Sequence, residues 1–245
     1  MVDNPAKSTR GLVIVPAYNE AESIERVVCA IRQSVPEFDV LVVDDGSTDA
    51  TLARIPEGVE TLSLPFNLGI GGAMQTGYRY AAAHGYDLAI QADADGQHPA
   101  HEIHKLVEPL RDGGADLVIG SRFLQRGSYR QSATRAMGAR ILSLLLRVLT
   151  GCRFTDCTSG FRAANRRVIK AYAYWYPDDY PEPEVVLLLH RAGFRVTERA
   201  VEMNPRTGGK TSISLWRGLF YVTKVSLALF LDMLRNPWPK DKVDQ

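Results

Sequence analysis

Cysteine is scarce in this chain: Cys29, Cys152 and Cys157 are the only three in 245 residues, and none stands in C-x-x-C spacing. That pattern argues against a disulfide or zinc framework and for reduced thiols in a cytosolic protein. Long hydrophobic runs are also missing. The opening stretch, MVDNPAKSTRGLVIVPAYNE, has no apolar leader core and no small-residue cleavage site, so no export is expected. Low-complexity segments and repeats of solenoid or propeller period are absent, which excludes disordered and repeat architectures. Acid is missing locally. Residues 117–155 carry seven arginines and no Asp or Glu, and residues 203–240 carry six Lys or Arg against one acid, Asp232. The net charge of +1 hides this asymmetry, which favours anionic partners such as phosphates and anionic lipid; no nucleic-acid partner is expected.

What is present is an α/β pattern. With 45% apolar residues the chain can bury a full core. GLVIVPAY and VLVVDDGS read as buried strands, and between them Glu20 to Arg32 carries Ile24, Val27, Val28 and Ile31 at helical spacing, with Asn19 as the expected N-cap. TLSLPF, DLAIQAD and ADLVIGSRF read as three more strands, separated by helices over GGAMQTGYRYAAAHG and HEIHKLVEPLRDGG. This alternation predicts a doubly wound, mostly parallel nucleotide-binding sheet. Beyond it come an arginine-rich helix from Ala133 to Leu149, the segment TDCTSGFRAANRRVI, an acidic turn (YPDDYPEPE), a helix (VVLLLHRAG), a strand (FRVTERAVEM), a polar loop (NPRTGGKTSIS) and an apolar helix over 215–235.

Ligands of such sheets bind beyond the carboxyl ends of the strands. Those ends carry PAYNE, DDGST, ADADGQ and GSRF. In QADADGQHP the period-2 alternation sets Asp93 and Asp95 on one side, about 6–7 Å apart along the backbone. Like charges there are costly without a cation between them. A hard divalent ion, Mg²⁺ or Mn²⁺, with substrate phosphates as further ligands, meets that need, and Gln97 adds an oxygen. The alternative is a plain Asx-turn. An EF-hand fails because His104 stands where a glutamate is required. Asp44 and Asp45 read either as turn caps or as partners for ribose or base. NLGIGGAMQTG suits phosphate or tight packing but lacks the dinucleotide glycine pattern, with Met74 at the last position. NPRTGGKT lacks the first glycine of a P-loop, where Asn204 stands.

VIVPAYNE, VVDDGST, NLGIGGAMQTGYRYA, DADGQHP, GSRF, DCTSGFRAANRRVI and RTGGKTSIS, in this order from about residue 11 to 214, resemble glycosyltransferase family 2, which has the GT-A fold. Within it the chain resembles the dolichyl- and polyprenyl-phosphate mannosyl- and glucosyltransferases. The resemblance implies a metal held by Asp93, Asp95 and Gln97, and donor-nucleotide contacts at Pro16, Tyr18, Glu20, Val43, Asp45, Ala94 and Arg122. It also implies a late phosphate clamp by Arg206 and Lys210, whose spacing is shorter than in the dolichyl-phosphate enzymes. Residues 1–214 are then the catalytic domain, and 215–245 an apolar helix and tail.

The expected reaction is inverting transfer of a hexose from a nucleotide diphosphate-sugar, of the GDP-mannose or UDP-glucose type, to a polyprenyl phosphate. Asp95 and Arg122 are expected to be catalytic. Asp156 is the candidate for orienting the acceptor or acting as base, Arg162 for holding the acceptor phosphate, and Glu182 and Glu184 are second base candidates. The last helix reads as a core helix, an interfacial membrane helix, or a docking surface for a small membrane protein; peripheral association with the inner face of the cell membrane is expected. The rival readings are a soluble transferase acting on a polysaccharide or small molecule, a nucleotidyltransferase, and a non-catalytic nucleotide-sugar-binding module.

Overall fold

Alternate residues of the first strand point into two different cores. Leu12 and Ile14 of β1 (Gly11–Ala17) join one apolar cluster, and Val13 and Val15 join the other. A strand buried on both faces needs a continuous apolar run, which is what β1 and β2 (Phe38–Asp44) supply. The computed structural model describes residues 9–124, 133–178, 181–204, 215–234 and 238. Its further strands are β3 (Glu60–Ser63), β4 (Leu88–Gln91), β5 (Leu117–Ser121), β6 (Arg162–Asn165) and β7 (Val196–Ala200). They form one sheet in the order β3-β2-β1-β4-β6-β5-β7, parallel except for β6, which runs antiparallel to both neighbours.

Helices α1 (Ile24–Ser34) and α3 (Ile103–Arg111) cover one face with Ile24, Val28, Ile31, Ile103 and Leu106. The other face carries α2 (Gly69–Ala83), α4 (Ala133–Thr150), α5 (Arg166–Tyr174), α6 (Pro181–Arg191) and α7 (Leu215–Asp232). Helix α7 packs on α4 and α6 and buries Val225 and Leu229 in this second core.

Two local expectations change, and one segment with no expected element gains two. Helix α1 starts at Ile24, and Asn19 does not cap it. Asn19 instead adopts a left-handed backbone (φ 55°), which asparagine tolerates, and its side chain accepts from the Thr48 amide at 2.8 Å. The loop after β1 is thereby tied to the loop after β2. The segment FRAANRRVI splits into β6 and α5, because the Asn165 side chain accepts from the Val168 amide and starts a helix. The end of the acidic turn is the first turn of α6, where Pro181 suits the missing amide partner and Glu182 and Glu184 suit the positive helix end.

The glycines of α2 serve packing. The Gly71 amide donates to the Asp178 carbonyl at 3.1 Å, and a Cβ there would collide with the Pro177 and Asp178 carbonyls. At Gly77 a Cβ would collide with Ile14. Gly71→Ala is expected to lower urea-unfolding stability by about 1–3 kcal/mol, since a backbone carbonyl cannot swing aside; an unchanged midpoint would contradict this packing.

Candidate active site

The edge formed by the carboxyl ends of β1, β2, β4 and β5 also receives the start of β6, because that strand runs in reverse. Gln91 pairs across with Arg162. The segment after β4 turns sharply at Gly96 (φ 76°), and Asp95 Oδ1 accepts from the Gln97 amide at 2.9 Å. Asn204 braces this turn by donating its amide to the Gln97 carbonyl at 2.9 Å. The Asp93 side chain is 36% exposed. Opposite it lies Gly160, whose absent Cβ would stand 3.3 Å from both carboxylate oxygens. The absent side chain lets the backbone pass close to those oxygens, and Gln91 Nε2 lies 3.5 Å from Asp93 Oδ1. Ala94, between the two aspartates, is buried.

Among the described residues no three His, Cys, Asp or Glu side chains form a ready-made metal cage. The donor set nonetheless fits a hard cation of the Mg²⁺ type, which uses one or two carboxylates and completes its shell with water and substrate phosphates.

At the end of β2, Asp44 and Asp45 are both buried. Asp45 accepts from the Leu68 and Gly69 amides at 2.7 and 2.9 Å, occupying the positive end of α2. Burial raises its pKa, and the two amides pull it back. Asp44 receives the Ser63 hydroxyl at 3.2 Å. Pro16 and Val43 face one another in the β1–β2 register, Tyr18 is 46% exposed just beyond, and the Glu20 carboxylate takes the Ser23 hydroxyl at 2.8 Å. Of the two readings of the glycine-rich segment, its amides and close approaches support packing.

Arg122 follows β5 and is gripped by Asp156. Its Nε and Nη2 reach Asp156 Oδ2 and Oδ1 at 2.6 and 2.7 Å, its backbone amide adds a third bond at 3.0 Å, and the Thr158 hydroxyl adds a fourth at 3.3 Å. Asp156 is fully buried while the Arg122 side chain stays 16% exposed. Four donors fill the four lone-pair sites of the carboxylate. Glu198 stands behind this pair. It accepts from the Thr155 amide at 2.8 Å, the Asp156 amide at 2.7 Å and the Thr155 hydroxyl at 2.9 Å. Burial raises its pKa. Nothing in VTERA distinguishes Glu198 from an ordinary strand residue, so the sequence carries no signal for it.

Arg162 is 1% exposed, with Nε and Nη2 bound to the Ser159 and Cys157 carbonyls at 2.6 and 2.8 Å, and among the described residues Nη1 has no hydrogen-bond partner. It is thus held inside the protein, not at the surface. Glu182 is half-buried; burial raises its pKa and the Arg162 charge opposes the rise. Glu184 is also half-buried. Arg206 and Lys210 lie outside the described residues.

A mostly parallel seven-stranded sheet covered by helices on both faces is the GT-A fold. The sequence model for glycosyl transferase family 2 matches residues 12–173, and the chain belongs to that family. Among its relatives is an undecaprenyl-phosphate mannosyltransferase of Micrococcus luteus, 39% identical over 66% of this chain and 69% of that one. A polyprenol monophosphomannose synthase of Mycolicibacterium smegmatis is 32% identical over 93% of this chain and 91% of that one. In fold, the chain is similar to glucosyl-3-phosphoglycerate synthase from Mycobacterium tuberculosis solved with Mn²⁺, UDP and glucosyl-3-phosphoglycerate: TM-score 0.69, 24% identity, 93% of this chain and 79% of that one.

The raised Glu182 pKa has a definite sign. Its stabilising contribution is fully present below the ordinary value of 4.5 and is lost as pH rises through the higher folded value. Glu182→Gln removes that loss, so the stability of the variant relative to the parent should grow from pH 4.5 toward neutrality in urea unfolding. A difference that shrinks with pH would contradict the assigned environment.

Proposed function

We propose that this protein transfers a hexose, with inversion, from a nucleotide diphosphate-sugar of the GDP-mannose or UDP-glucose type to a polyprenyl phosphate. The observation that carries the reading is the meeting of the Asp93–Asp95 loop with the Asp156-held Arg122 at one edge of the sheet. The lipid-phosphate acceptors named for the Micrococcus and Mycolicibacterium relatives support it.

Asp93, Asp95 and Gln97 would hold Mg²⁺ or Mn²⁺, which when bound neutralises diphosphate charge. Pro16, Tyr18, Glu20, Val43, Asp45 and Ala94 would frame the nucleotide, with Arg206 and Lys210 on its phosphates. Arg122, locked by Asp156, presents a fixed cation to the departing diphosphate without reorganising. Asp156 serves here as the positioning residue for Arg122. An acceptor phosphate is already anionic near neutral pH and can attack without a strong base, which agrees with the full engagement of Asp156. Arg162 contributes positive potential from beneath rather than direct contact, and Glu182 and Glu184 border the acceptor side.

A lipid acceptor calls for membrane contact. Among the described residues no helix is long and apolar enough to cross a membrane. Helix α4 exposes Met137, Ile141, Leu144 and Val148 along one stripe, and its neighbour α7 exposes Leu227, Phe230 and Leu231, with Leu234 just beyond its end. Arg140, Arg147 and Lys224 are exposed beside them, while the one acid of α7, Asp232, is buried. An apolar face edged by these cations fits an anionic lipid surface at the inner face of the cell membrane, or a small membrane protein there.

Two outcomes check these statements. With Mn²⁺ and donor, release of nucleoside diphosphate should require polyprenyl phosphate, and Asp95→Ala should reduce it by at least about a hundredfold; near-full activity would remove Asp95 from the site. The protein should sediment with phosphatidylglycerol vesicles at low salt, and a Leu144→Glu/Phe230→Glu variant should not. A parent protein that stays in the supernatant would contradict the membrane face.

A further inference from the structure

His98 lies next to Gln97 and has no part in the chemistry above. Its side chain is 6% exposed. Nδ1 accepts from the backbone N–H of Asp93 at 2.9 Å. A ring nitrogen that accepts carries no proton, so the hydrogen of the neutral ring is on Nε2. That nitrogen is 3.7 Å from Asp93 Oδ2, beyond hydrogen-bond length but close enough for its N–H dipole to bias the carboxylate. One imidazole therefore addresses the backbone and the side chain of the same aspartate. The ring lies flat on buried Phe161, centroids 4.8 Å apart and planes 15° from parallel, which holds its plane, while the Nδ1 bond sets the edge turned to Asp93. Phe161 adjoins Gly160, where the backbone passes close to the Asp93 oxygens.

A histidine that only filled space would need the stack and neither nitrogen. We infer that His98 is a positioning residue, which sets the Asp93 carboxylate for a divalent cation through its Nδ1 bond to the Asp93 amide. The inference rests on the assignment of Asp93 as a metal ligand. The stack also joins the carboxylate loop to the loop that carries Asp156, so both halves of the site are built on one pair of rings.

The test is Mn²⁺ binding, followed by electron paramagnetic resonance with UDP present and, separately, with GDP. His98→Phe keeps a flat ring over Phe161 and removes both nitrogens; it should melt near the parent temperature and lose about tenfold or more in Mn²⁺ affinity. His98→Asn places an amide oxygen where Nδ1 stands and should recover affinity to within about threefold, whereas His98→Gln should not. A folded His98→Phe variant with parental affinity overturns the inference. If that variant fails to fold, the order of His98→Asn and His98→Gln decides, and the reverse order overturns it. A parent protein that takes up no Mn²⁺ with either nucleotide overturns the metal assignment, and the inference with it.

Discussion

A carboxylate shut away from water must find a cation or lose its charge, and Asp156 finds Arg122. The requirement organises much of the site. Strand β5 delivers the arginine, the stretch between α4 and β6 delivers the aspartate, and β7 delivers Glu198, whose oxygens absorb the amides at the back of the turn. Removing one member of such a buried pair typically costs about 3–5 kcal/mol, because the other is stranded. The same rigidity is useful chemically. A guanidinium clamped on one side and 16% exposed on the other offers its positive charge with little freedom to lose.

The reversal of β6 supplies the rest. Had that strand run parallel, its first residue would sit at the opposite edge, and Arg162, Phe161 and Gly160 would be far from the Asp93–Asp95 loop. Reversed, it brings a buried cation level with Gln91, an aromatic floor under His98 and a glycine against Asp93. The repulsion between the Asp93 and Asp95 carboxylates is moderated by local donors and by solvent: Asp95 accepts from the amide of its own turn, Gln91 Nε2 approaches Asp93 Oδ1, and the Asp93 side chain is 36% exposed.

Legibility in the sequence followed length and repetition. The apolar runs of β1 and β2, the helical spacing of α1 and the carboxylates after β4 are strong local signals, and the motifs carried the family. Strand β6 is four residues long with two alanines, too little pattern to separate it from α5. Asn19 has the chemistry of a cap, but the chain used it for a left-handed turn, a choice set by Thr48 across the edge. Asp156 looked like a free acid because its partner lies 34 residues away. Glu198 and His98 act through bonds to backbone amides, which leave no trace in residue pattern. The roles most often hidden were those made by long-range contacts between short segments.

The central claim is transfer of a sugar to a lipid phosphate at this edge. Its most direct test incubates the protein with Mn²⁺, a polyprenyl phosphate and radiolabelled GDP-mannose or UDP-glucose in separate tubes, followed by organic extraction. The account predicts label in the organic phase of one tube, which also names the donor. Label that remains aqueous in both, attached to a soluble acceptor or released as free sugar, would contradict it.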